Sequence, residues 1–283
     1  MNVLALDIGG ANLKAAHGSL ANGAVSNARA ATLPFALWKQ PDQLVEKLKA
    51  IAAKFPPFDA LAVTMTAELC DCFEGRKSGV HHVLDAVESF AGEKRVGVWL
   101  TEGRFVTIAK ARESWLACAS ANWHALATWV ARLFPDGCSV LIDTGSTTTD
   151  ITLLWNARPQ PFARTDVQRL RSGELVYTGV RRTPVMALAP LEAPELVPDD
   201  PAVPIMAELF ATSADVYVML ADLPEEPDNC DTADGRPLTH DAAAVRLLRM
   251  MGTDSGQFGQ RVNVAYVDGE LSLAGSQRAI NKE

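Results

Sequence analysis

Apolar residues run together in Val3-Leu4-Ala5-Leu6, stop at Asp7-Ile8-Gly9-Gly10-Ala11-Asn12, and resume at Leu13, a pattern that predicts a strand, a tight turn and a second strand. The same figure returns as Val140-Leu141-Ile142, then Asp143-Thr144-Gly145-Ser146-Thr147-Thr148-Thr149-Asp150, then the strand-like Ile151–Trp155. Between them the period becomes helical. Leu44, Leu48, Ile51 and Phe55 share a face between Pro41 and the Pro56-Pro57 stop, with Asp42 available at the start. Ala60–Thr64 reads as a buried strand, Val80, Val83, Leu84 and Val87 as a helix, and Val96–Leu100 as another strand. Asn122 is placed to cap a helix that turns Leu126, Trp129, Val130 and Leu133 inward and ends at Pro135-Asp136-Gly137. Strands alternating with helices predict an α/β fold.

After Asp150 the pattern loosens. Glu174–Tyr177 is a candidate strand, and Pro184 to Pro204 holds six prolines, which suits an ordered connection or active-site cover rather than a helix. Helical spacing returns over 205–220 and 241–251, and Val262–Leu273 alternates like a hairpin around Asp268-Gly269. The expected division is a first lobe over 1–135 and a second over 136–283.

Composition narrows the partners. The chain has 283 residues, 48% hydrophobic and 21% charged, as soluble globular proteins have. A net charge of −8 without a dense Lys/Arg cluster argues against a nucleic-acid surface. No apolar stretch reaches the roughly 18 residues of a membrane span. The start enters a strand directly, with no basic region and cleavage site, so the expected location is the cytoplasm. Five irregularly spaced cysteines, Cys70, Cys72, Cys118, Cys138 and Cys230, fit a reducing compartment and complete no zinc site. Self-association is left open.

The chemistry lies in the two Asp-Gly turns. Glycine lets a backbone approach a ligand closely, exposed N–H groups and hydroxyls cradle phosphate oxygens, and a carboxylate at a strand end suits Mg²⁺. A single such turn is usually only a turn; two, each on a buried-looking strand, point to a small phosphorylated substrate. Asp7 and Asp143 are the metal candidates. Gly9, Gly10, Asn12, Gly145, Ser146, Thr147 and Thr148 are the phosphate candidates, with Lys14 either a phosphate-binding charge or a solvent-facing lysine.

The paired turns resemble the phosphate motifs of the actin, Hsp70 and sugar-kinase superfamily. Val63–Leu69, Ala121-Asn122-Trp123, Glu174–Pro184, Ala214–Tyr217 with Asp222-Leu223-Pro224, and Thr232–Arg236 are similar to a narrower group. That group is the hydantoinase A/oxoprolinase-related family associated with tetrahydromethanopterin-linked one-carbon metabolism. Its archaeal members, of methanofuran biosynthesis, join a furanylmethyl diphosphate to glutamylated tyramine. The resemblance implies an actin-like, ribonuclease H-like fold of two lobes. It also implies a transferase in which a phenol oxygen displaces diphosphate with Mg²⁺ assistance.

On that reading Glu68 is the preferred general base, its alternative being a helix N-terminal carboxylate, and Asp150 competes for the same role. Arg181 and Arg182 are either a clamp for a substrate carboxylate or a solvated pair. Asn122 either lines the cleft or caps its helix. The Gly-rich adenosine segment of ATP-using superfamily members has no counterpart here, so the second lobe is expected to be shortened at its C-terminal end, and ATP is the weaker cofactor candidate. An ATP-dependent hydantoinase, oxoprolinase or kinase, and an incomplete noncatalytic phosphate-binding relative, are the alternatives.

Overall fold

A computed structural model describes residues 1–188, 205–252, 262–267 and 270–275. The chain falls into two compact units, Met1–Ile142 with Asp150–Leu175, and Asp143–Thr149 with Val176–Glu283. The divide thus passes through the second Asp-Gly turn and places its tip in the second unit, whereas the boundary expected from the sequence lies at 135/136.

The first unit is built on a six-stranded sheet. Strands β1 (Asn2–Ile8), β2 (Asn12–Ala21) and β3 (Ala24–Pro34) form an antiparallel meander, in which Asp7 faces Lys14 and Ile8 faces Leu13. Helix α1 (Leu44–Ala52) leads to β4 (Ala60–Met65), which pairs in parallel with β1 so that Leu4, Leu6 and Ile8 lie beside Leu61, Val63 and Met65. Helix α2 (Arg76–Ala91) returns the chain to β5 (Arg95–Leu100), parallel to β4, and β6 (Arg104–Val106) closes the edge antiparallel. The order β3-β2-β1-β4-β5-β6 contains the arrangement expected of a ribonuclease H-like lobe.

The helical spacings read from the sequence are the buried faces: Leu44, Leu48 and Ile51 on α1, and Val80, Val83, Leu84 and Val87 on α2. Each such side chain contributes about 1.5–3 kcal/mol relative to exposure. They pack with the β1 and β4 rows into one core.

Two short helices without a sequence signal, α3 (Ile108–Glu113) and α4 (Trp115–Cys118), precede α5 (Asn122–Ala131). The orientation of α5 corrects the expectation. It buries Trp123, His124, Ala127 and Ala131, while Trp129 and Leu133 are exposed. The small Ala127 and Ala131 face allows close approach to Leu154 and Leu141 of a second sheet. That sheet has the order β10-β8-β7, with β9 on β8: β7 is Cys138–Thr144, β8 Thr149–Trp155, β9 Arg158–Pro159 and β10 Leu175–Val176. Helix α6 (Asp166–Ser172), also unannounced by the sequence, lies between β9 and β10.

In the second unit the helix expected over 205–220 is only α7 (Ser213–Met219). Thr212 and Asp215 form a capping box that fixes its start, so the apolar spacing upstream belongs to non-helical chain packed on the core. Thr239 caps α8 (His240–Met250), as the second spacing predicted. The buried seam between α7 and α8 is ionic: fully buried Arg246 binds Asp215 (1% exposed) at 2.7 Å and Asp234 at 2.9 Å. Strands β11 (Val262–Val267) and β12 (Glu270–Gly275) pair antiparallel. The Asp268-Gly269 turn expected between them, and most of the proline-rich connection, lie outside the described residues. No helix among the described residues is long and apolar enough to cross a membrane.

Candidate functional site

Both Asp-Gly turns are built alike. In the first, the Gly9 N–H donates to the Asn12 carbonyl at 3.1 Å, which closes the turn. The next carbonyls are held by the chain leaving β3: Ala11 accepts from Phe35 and Gly10 from Leu37. Among the described residues no hydrogen bond engages the N–H groups of Gly10 and Ala11. Asp7, next to last in β1, has one carboxylate oxygen accepting from the Thr64 hydroxyl at 3.2 Å and the other 3.9 Å from Lys14 Nζ. The Lys14 side chain is 64% exposed, so this pair is weak.

In the second turn the Gly145 N–H donates to the Thr148 carbonyl at 2.8 Å. The Gly145 carbonyl accepts from Val180, and the Ser146 carbonyl from both Arg181 and Arg182. Again no hydrogen bond among the described residues engages the Ser146, Thr147 and Thr148 N–H groups. The Thr149 hydroxyl donates to the Thr178 carbonyl at 2.7 Å, and those of Ser146 and Thr147 lie 3.4 Å apart. With its carbonyls tied and, among the described residues, no partner on these N–H groups, each turn presents a set of backbone donors of the kind that binds anions.

Gly179 makes the second turn possible, and the sequence pattern did not single it out. A Cβ there would lie 2.5 Å from the Thr147 nitrogen and 2.6 Å from the Ser146 and Thr147 carbonyl carbons. Gly179 is fixed in turn by Thr183, whose hydroxyl accepts from its N–H at 2.8 Å, and by Ser213, whose hydroxyl donates to its carbonyl at 2.7 Å.

The two candidate bases occupy different environments. Glu68 sits in the 3-10 turn Ala67–Leu69 just after β4 and is 1% exposed. Its Oε1 accepts from the Ser120 hydroxyl at 2.7 Å and from Arg76 at 3.2 Å, while buried Oε2 has no partner among the described residues. Burial pushes this carboxyl up, and Ser120 and Arg76 pull it back. Gly79 lets α2 pack on this turn, because a Cβ there would collide with the Glu68 carbonyl oxygen. Asp150 is 21% exposed at its side chain and follows the second turn directly. Its Oδ1 accepts from Arg169 at 2.8 Å.

The other sequence candidates separate. Arg181 forms a bidentate pair with Glu226 at 3.0 and 2.6 Å, and Asn229 also donates to that carboxylate, so the Arg181 fork is engaged within the protein. Arg182 is exposed. Asn122 is the first residue inside α5, and the N-cap is Ala121, which makes no side-chain cap bond, so the capping role expected from the sequence is corrected; the Asn122 side-chain oxygen accepts from the Trp123 N–H at 2.8 Å.

Among the described residues no group of three or more His, Cys, Asp or Glu side chains converges. Asp7 and Asp143 still suit Mg²⁺, which binds through one or two carboxylates and takes its remaining oxygens from water and substrate phosphates.

Comparison with known proteins shows the family. The chain is 35% identical over 253 residues to the (4-{4-[2-(gamma-L-glutamylamino)ethyl]phenoxymethyl}furan-2-yl)methanamine synthase of Methanocaldococcus jannaschii, covering 89% of this chain and 72% of that protein. It is 30% identical over 141 residues to the enzyme of the same name from Methanococcus vannielii, covering 49% of this chain and 61% of that one. Among solved structures, the Aquifex aeolicus Ppx/GppA family member aligns with a TM-score of 0.37 at 14% identity, over 64% of this chain and 52% of that one. The PilM-PilN type IV pilus biogenesis complex aligns with a TM-score of 0.38 at 14% identity, over 56% of this chain and 60% of that one. The hydantoinase/oxoprolinase model matches residues 59–267, a span that includes the second turn and the Gly179 loop that supports it. The chain belongs to the hydantoinase/oxoprolinase family.

Proposed function

We propose that this protein is a transferase that forms an aryl ether, condensing a furanylmethyl diphosphate with the phenol of a glutamylated tyramine, in biosynthesis of a methanofuran-type cofactor. The observation that carries the reading is the pair of carboxylate-bearing turns with unpaired N–H groups, a donor set suited to phosphoryl oxygens. The names of the relatives supply the product class, a phenoxymethylfuran, whose ether joins an aryl oxygen to a furan-bearing CH₂.

The bond changes follow from that ether. The phenol oxygen attacks the CH₂ carbon, the bond from that carbon to the diphosphate oxygen breaks, and its electron pair leaves with the diphosphate. Asp7 and Asp143, each at its own turn, are the carboxylates that would hold Mg²⁺, and the ion would supply neutralisation of the charge that grows on the departing group. Ser146, Thr147 and Thr148, like Gly10 and Ala11, donate backbone N–H groups to phosphate oxygens, with Lys14 adding charge from a flexible stem. Asp150 takes the phenol proton, because it keeps solvent contact beside the second turn, while Glu68 is buried behind Arg76.

The test is incubation of the protein and Mg²⁺ with both substrates, followed by mass spectrometry. The expected result is the ether with one diphosphate released per product, and its loss in Asp143→Asn. Phosphate release from ATP without ether formation would replace this reading with the ATP-dependent one.

A further inference from the structure

Helix α6 carries two charged residues that reach the two candidate carboxylates of the first unit, Asp166 through Arg76 to Glu68 and Arg169 directly to Asp150. Asp166 and Arg169, three positions apart, share a face of the helix. Asp166 Oδ2 lies 2.7 Å from Arg76, and the same Arg76 nitrogen lies 3.2 Å from Glu68 Oε1. Ser120 joins this cluster, accepting from Arg76 at 2.8 Å and donating to Glu68 at 2.7 Å, and its φ of +48° shows that the backbone is held there in an unfavourable region. At the other end of α6, Arg169 donates to Asp150 at 2.8 Å.

Arg169 is itself immobilised. It is 1% exposed, its guanidinium lies 3.8 Å from the Trp123 ring centroid, and it donates to the Glu174 carbonyl at 3.0 Å. Glu174 in turn accepts from the Phe162 and Ala163 N–H groups and the Ser172 hydroxyl, which ties down both ends of the α6 segment. Two ion-paired clusters therefore meet on one helix: Glu68 and Asp166 share Arg76, and Asp150 is held by Arg169, three positions further along α6.

We propose that α6 is the positioning element of the site: through Asp166 at one cluster and Arg169 at the other it ties the placement of Glu68 to that of Asp150 and fixes the orientation of the Asp150 carboxylate. This rests on the reading of Asp150 as the proton acceptor above. Asp166, Arg169 and Arg76 are positioning residues, acting through Asp150 rather than on substrate. A base held in one rotamer by a packed cation needs no reorganisation when the phenol arrives.

Two measurements on the full chain separate this inference from the synthase reading. The first is hydrogen exchange in Asp150→Asn, which removes charge at one of the two clusters. Exchange is expected to rise about tenfold or more in α6 and also in the 67–70 turn that holds Glu68, whereas an unchanged 67–70 turn overturns the linkage. The second is kinetics of Asp166→Asn, with kcat expected to fall about tenfold, KM for the diphosphate substrate to stay within about twofold, and Asp166→Glu to restore part of the loss. An unchanged kcat per folded enzyme overturns the positioning role. Inactivity of the unsubstituted protein overturns the synthase reading instead, and the exchange result still decides the linkage.

Discussion

Arg246→Met is expected to destabilise the second unit by about 3–5 kcal/mol, the cost of leaving one partner of a buried ion pair uncompensated. Arg246 is fully buried and donates to Asp215 from Nε at 2.8 Å, to Asp234 from Nη1 at 2.9 Å, and to the Pro237 carbonyl. Asp234 keeps Arg236 and Arg249 at 2.9 and 3.2 Å, but Asp215, 1% exposed, loses its cation. Burial already pushes the Asp215 carboxyl up and Arg246 pulls it down, so the substitution drives its folded pKa further above the unfolded value. The deficit is then largest near neutral pH and shrinks as falling pH protonates the buried carboxyl. Denaturant unfolding of the second unit at pH 7.5 and pH 5 checks both the size and the sign. Adding Asp215→Asn, which keeps an acceptor for the Thr212 N–H, is expected to recover most of the loss. A variant of unaltered stability would mean that this network contributes nothing.

Gly179→Ala is expected to weaken binding of the proposed diphosphate substrate at least tenfold. The φ of Gly179 lies outside the left-handed region, so alanine meets no intrinsic strain and the effect reports space alone. The added carbon meets three backbone atoms of Ser146 and Thr147, which yield only if the turn moves. Overpacking of this kind costs about 1–3 kcal/mol in stability. Its functional share is larger, because the N–H groups being displaced are those assigned to phosphate. Gly75→Ala, where nothing lies within 4 Å of the added carbon, serves as the control and should bind like the parent. Equal affinity in Gly179→Ala would show that the second turn does not hold the ligand.

The residues that were legible in the sequence are those whose signal is local. The two Asp-Gly turns are legible because an apolar run, a carboxylate and a glycine stand within a few positions, and the buried faces of α1 and α2 follow from spacing alone. Trp129 and Leu133 were misread because a helix offers more than one apolar face, and the alanine face with Trp123 packs closer than the bulky one. Arg181 looked like an available cation, but its partner Glu226 lies 45 positions away. The α6 clusters were invisible for the same reason: positions 68, 76, 120, 150, 166 and 169 share no periodicity and meet only through the fold. Gly179 stood in a recognisable stretch, yet its reason for being glycine is a contact with residues of another turn.

The central claim is that the two Asp-Gly turns serve a small diphosphate rather than a nucleotide. Calorimetric titration of the protein with Mg²⁺ against a furanylmethyl diphosphate analogue, and separately against ATP, tests it most directly. The account predicts saturable binding of the diphosphate that is lost in Asp143→Asn, with ATP at least tenfold weaker. Binding of ATP as tight as or tighter than that of the diphosphate, or binding of neither, would contradict it.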